Sequence, residues 1–199
     1  EANSYVGTLG NALAKSEDVL AVQQESINAF GTMAMLTTEQ AGEVANIGKA
    51  FGYGAKQAGE VNAAFMAMGV SGDEAAAAQR DLAAEAMKAG VSVGAVTADI
   101  AKNSKATSKY FGGNVKALKK AAIEAAKMGV SLETMAKVSD GLLDFENSIT
   151  AQFELQALTG KQMNFDLARQ LALEGDIAGA TQAVLDQVGS IHDFNKMDV

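Results

Sequence analysis

Not one of the 199 positions is proline, and no other feature of the sequence limits the fold so sharply. Average usage near 5% would have given about ten. A proline inside a helix removes a hydrogen bond and collides with the preceding turn, so no covalent obstacle to helix stands anywhere in this chain. Twenty glycines supply the breaks instead, many of them ending segments whose apolar residues recur at three- and four-residue steps. The alternation that marks strands is close to absent. The sequence therefore predicts an all-α fold of about eight to ten helices, a multi-helix bundle or irregular helical array joined by short Gly/Ser/Asn turns.

Helix starts and stops are legible along the whole chain. An opening helix is expected over Tyr5–Lys15. Ser16 is placed to cap a second, with Glu17 and Asp18 in its first turn and Val19, Val22, Ile27, Phe30 and Met33 facing inward. Thr37 and Gln40 have capping-box spacing ahead of Val44, Ile47 and Phe51, and a break is expected at Gly52-Tyr53-Gly54. Three Gly-Val-Ser triplets, at Gly69, Gly90 and Gly129, read as one device used three times. Glycine ends a helix, valine packs, and serine caps the next. Glu74 completes a capping box with Ser71, whereas Ser92 has no such partner. The runs AEAMKAGVSVGAVTADI and IEAAKMGVSLETMAKVS suggest a weak internal duplication. The polar stretch NSKATSKYFGGN, 103–114, reads as a helix end and a Gly-Gly loop, hence a boundary. Three regions follow: an Ala/Gly-rich helical region 1–111, a second helical region 112–191, and a frayed tail 192–199.

The longest stretch free of a strong breaker runs from Gly129 to Gly189. Ser131 caps it, and one helix is expected over about 131–159. Leu142, Phe145, Ile149 and Phe153 share one face of that helix, while Ala151, Leu155 and Leu158 form a neighbouring seam. Two seams exceed what one neighbour covers. Burial on more than one side is therefore expected, with Phe153 packed and the helix presenting a self-associating or partner-facing surface. Thr159-Gly160 stops it, Asn164 is placed to cap a short helix carrying Phe165, Leu167, Ala168 and Leu171, and Gly175-Asp176 repeats the stop-and-cap before Ile177, Ala180, Val184, Leu185 and Val188.

Within this stretch, LLDFENSITAQFELQALTGKQMNFDLARQLALEGD resembles a segment of bacteriophage tail tape measure proteins, the similarity extending over about residues 132–189. Its pattern is an acid and an aromatic after two leucines, then LTGK, then an Asn-capped helix with arginine, then L-x-x-G-D. The resemblance implies a structural virion protein. Such a protein lies inside the tail tube, sets tail length, associates with copies of itself and with tube, tip or chaperone proteins, and is released during infection. It would be made in the bacterial cytoplasm and reside in the virion tail, touching a membrane only during infection. No catalytic residue, cofactor or metal is implied. Two other readings stay open: a secreted or membrane-active amphipathic helical protein, and a non-catalytic neighbour of a cell-wall hydrolase domain.

Charge and composition narrow the chemistry. The net charge of −8 opposes nonspecific binding to a phosphate backbone. Its distribution is uneven: residues 1–101 carry −7, 102–127 carry +6, and 128–199 carry −7. In the basic island Lys109, Lys116, Lys119 and Lys120 are candidates for contact with acidic protein surface, of this chain or a copy, in preference to DNA. Lysine without arginine offers no bidentate fork, although Tyr110 and Phe111 interleave it. The absence of cysteine removes disulfides and thiolate sites. Gly52 and Gly54 lack the third glycine of a dinucleotide loop, Gln57 standing in its place, and Glu60 replaces the lysine of a phosphate loop. His192, the only histidine, has no positioned partner. Asp140 and Asp144 read as a solvated helix face. No apolar run reaches the roughly 18 residues of a membrane span. A chain opening on Glu1 is expected to be a fragment or a processed product. Neither enzyme activity nor a small-molecule substrate is expected.

Overall fold

The computed structural model describes residues 13–31 and 36–189, without the side chains of 104–108. Most of the expected opening helix, Met33 and the tail with His192 lie outside the described residues, as does the side chain of Lys105. The rest is helical, with no strand among the described residues. In chain order the helices are α1 (Ser16–Phe30), α2 (Thr38–Ala50), α3 (Ala55–Met66), α4 (Gly72–Lys88) and α5 (Val93–Phe111). There follow α6 (Val115–Met128), α7 (Leu132–Leu143), α8 (Phe145–Thr159), α9 (Asp166–Leu173) and α10 (Ile177–Val188).

The caps explain most of these boundaries. At each Gly-Val-Ser triplet the glycine adopts positive φ, at 93°, 74° and 73°, which only glycine does without strain. Val70, Val91 and Val130 pack against one core. Ser71 then accepts from Glu74 N, Ser92 from Ala95 N and Ser131 from Thr134 N. Thr37 and Gln40 form the expected reciprocal box. Three details differ from expectation. Phe165, not Asn164, is the N-cap of α9, and no side chain closes that cap. Lys15, not Ser16, is the N-cap of α1, because Asp18 reaches back to the Lys15 amide at 2.8 Å. The polar stretch 103–111 is helix, and only Gly112-Gly113 interrupts it.

Three apolar clusters follow one another along the chain and share helices. The first joins α1, α2 and α3 through Val19, Val22, Val44, Ile47 and Ala58. The second, built on Phe65, Leu82, Ile100, Leu118, Leu132 and Met135, spans α3 to α7 and takes in Ile177 of α10. The third joins Leu142 of α7 to Met163, Phe165, Ala168 and Ala172, with Ala180 and Val188 of α10. Consecutive helices sharing consecutive cores make an irregular array. The division expected at 111/112 falls inside the second cluster, which takes Phe111 from one side and Leu118 from the other.

Small residues let the first two cores close. At Gly48 an added Cβ would collide with the Gly54 carbonyl, in the expected turn where the Gly48 carbonyl accepts from both Tyr53 N and Gly54 N at 3.0 Å. At Gly59 it would meet the Val22 backbone at 3.1 Å. Between these cores Gln79, wholly buried, donates to the Ala58 carbonyl and to Asn62 Oδ1, and accepts from the Tyr53 hydroxyl. Burial pushes the Tyr53 phenol well above its ordinary range. Such a satisfied polar group in an apolar seam fixes the register of α3 against α4.

Candidate interaction surface

The helix expected over 131–159 is two helices. At Asp144 the backbone leaves the helical region, with φ −81° and ψ 82°. Its carboxylate accepts from Asn147 N at 3.4 Å and Asn147 Nδ2 at 2.6 Å, so the residue read as part of a solvated face starts α8. The consequence for the expected seam is large. Leu142 stays with α7 and is buried in the third cluster, while Phe145, Ile149 and Leu158 are exposed and Phe153 is 62% exposed. Leu155, half-buried, packs against the third cluster. The packed Phe153 inferred from spacing is overturned, and with it an interface argued from two buried seams.

Leu155 apart, what faces the body from α8 is polar. The loop 160–165 leaves backbone groups that need partners. Gln152 and Gln156 supply them, both donating to the Met163 carbonyl, at 2.9 and 2.6 Å, while Gln152 Oε1 accepts from Phe165 N at 3.2 Å. Into the same seam comes Arg169 of α9, only 6% exposed. Its Nε donates to Ser148 Oγ at 2.9 Å, and its terminal nitrogens reach the Ser148 carbonyl, Gln152 Oε1 and Asp166 Oδ1. A buried guanidinium requires this set of acceptors. They determine which side of α8 turns inward. Ser148 is the only fully buried residue of the helix. Leu167 of α9 is exposed.

The sequence reading did not single out Arg169, Ser148, Gln152 or Gln156 as site residues. A signal existed: polar residues at 148, 152 and 156 recur at the four-residue step, which makes a stripe as regular as the apolar one beside it. Asp99 was also missed. Its carboxylate accepts from Leu132 N at 2.8 Å and so caps α7 from a distant helix.

The lysine island divides. Lys109 Nζ lies 2.8 Å from Asp140 Oδ1 and 4.8 Å from the Tyr110 ring centroid. The Tyr110 hydroxyl bonds the same carboxylate and reaches the Ala136 carbonyl. Hydrogen bonds first from Lys109 and then from Tyr110 hold the Asp140 carboxyl below its ordinary value. Asp140 is thus a tie between α5 and α7 and no mere solvated acid. Lys119, almost buried, pairs with Glu85 at 3.2 Å and Asp81 at 3.8 Å. Lys116 and Lys120 are exposed, and among the described residues neither has an ion partner. No cluster of three or more His, Cys, Asp or Glu is poised to hold a metal, and no helix is long and apolar enough to cross a membrane, among the described residues.

Comparison with known proteins yields no matching family, no similar curated protein and no similar solved structure.

Proposed function

We propose that this chain is an assembly segment of a bacteriophage tail tape measure protein, structural and not catalytic in role. The sequence run that resembles those proteins covers α7 to α10, and within it α8 is the observation that carries the reading. The helix is held by hydrogen bonds on one side and leaves Phe145, Ile149 and Phe153 uncovered on the other. Large apolar side chains left contiguous on a surface mark places where another molecule packs. On this reading the chain lies within the tail tube with copies of itself and with tail proteins, and leaves during infection.

The test is genetic and geometric. Removing codons 132–189 from the phage gene should give virions that still contain the protein and whose tails are shorter by up to on the order of 90 Å, the length of that many residues as one continuous α-helix. Electron microscopy of negatively stained particles measures it. Tails of unchanged length around an incorporated shortened protein, or purified virions without the protein, would sink the proposal.

A further inference from the structure

We propose that the uncovered face of α8 docks, head to tail, into the groove between α4 and α6 of a second copy of this chain. The proposal rests on two complementary surfaces and is independent of the tail assignment. The first is α8. Its ionisable side chains, Glu146 and Glu154, are both acidic and exposed, and neither has an ion partner among the described residues. Glu146 borders the strip made by Phe145, Ile149 and Phe153, since positions 146 and 153 are neighbours on the helix surface, and Glu154 lies further round on the same outer side. An apolar strip with an acidic edge seeks an apolar trough with a basic edge.

The chain carries such a trough. Ala89 and Ile123 form the floor of a groove of about 370 Å³, room for large side chains. Its acids are already engaged: Glu85 binds Lys119 and Glu124 binds Lys127. Lys88 and Lys120 on the same rim are exposed and have no ion partner among the described residues. Paired carboxylates and free ammonium groups leave the rim basic.

The rival arrangement, α8 against α8 of a copy, is disfavoured by charge. Antiparallel pairing of this strip brings Glu146 of one copy toward Glu154 of the other. Like charges at a shared seam repel. A contact between two different patches does not close on itself, so it would line copies up in rows and not stop at a dimer.

Sedimentation velocity on the purified wild type and three variants tests the pairing. The wild type should associate in a concentration-dependent way at low salt, and less in about 1 M salt, where screening acts over about 3 Å. Phe153→Asp destroys one patch, and Lys88→Glu with Lys120→Glu destroys the other; each should weaken self-association by about tenfold or more, the loss expected on truncating a central contact. Mixed in equal amounts, the two variants each keep the patch the other lacks and should form a one-to-one dimer that goes no further. Glu146→Lys with Glu154→Lys probes the same face should Phe153→Asp unfold the chain, helicity being checked by circular dichroism. A groove variant that still self-associates like the wild type would overturn the proposal in favour of α8 pairing with itself. A wild type that stays monomeric at low salt up to about 1 mM, the level at which even a weak pair with ΔG near −4 kcal/mol would show, would overturn it outright.

Discussion

Phe65 and Phe153 sit in helices that look alike on paper. Each belongs to an apolar stripe at three- and four-residue steps, Ala58-Val61-Phe65 in α3 and Phe145-Ile149-Phe153 in α8. Phe65 is 0% exposed at the centre of the second core, and Phe153 is 62% exposed. The stripe alone did not decide this. α3 lies between α1, α2, α4 and α5, and small residues such as Gly59 and Ala58 let them approach. α8 is approached from one side only, chiefly by a loop whose backbone groups take their partners from side chains and by a guanidinium, and both need polar acceptors and donors. Spacing tells which side chains could be buried together. The neighbours' chemistry decides whether they are.

The largest expected effect exploits that pair directly. Phe65→Ala should cost about 3–5 kcal/mol, the usual loss on emptying an aromatic site in a closed core. Phe153→Ala should stay within about 0.5 kcal/mol in the monomeric chain, as surface changes do. Denaturant unfolding of both variants measures the difference, and equal losses would show that α8 is packed in solution.

What was legible in the sequence was local. The Gly-Val-Ser joints, the Thr37–Gln40 box, the Gly160 stop and the Gly175-Asp176 pair depend on residues within a few positions of one another, and the structure has them all. What was not legible depends on partners far along the chain. The stretch 103–111 is rich in Ser, Thr and Asn, which compete with helix, yet it stays helical where Lys109 and Tyr110 reach α7 some thirty residues on. The facing of α8 is set by Arg169, which lies 21 residues after Ser148. The break at Asp144 is the exception. An acid three residues before Asn147 is a local capping signal, and the apolar periodicity across it obscured the helix start.

Two substitutions sharpen the contrast at intermediate size. Gly48→Ala forces a Cβ against the Gly54 carbonyl, which belongs to backbone and cannot swing aside. Overpacking of this kind costs roughly 1–3 kcal/mol, and it should appear as a fall in global melting temperature. Arg169→Met should cost about as much, 1–3 kcal/mol, since Ser148 and Gln152 lose a buried donor, but in a different place. Amide hydrogen exchange should speed up across 145–159 while Phe65, Leu82 and Leu118 keep their protection. Uniform acceleration through all three cores would mean that the Arg169 contact with α8 is no separate unit.

The smallest effect lies at the joint between the two regions, where Asp140 ties α7 to Lys109 and Tyr110 of α5. The Asp140 carboxyl is held below its ordinary value of 3.8 in the folded chain, through the Lys109 bond first and the Tyr110 bond second. A depressed carboxylate contributes stability that is complete above its unfolded value and disappears as pH falls through the folded one. Asp140→Asn should therefore be less stable than the wild type at neutral pH, and the gap should close in acid as the wild-type carboxylate takes up its proton. Half of each side chain in the pair meets solvent, so the gap should also shrink with salt. Paired urea titrations of the two proteins across the acid range give the difference at each pH, in which the other carboxylates cancel. A gap that stays constant down to the acid limit would assign the loss to the introduced amide side chain and not to the tie.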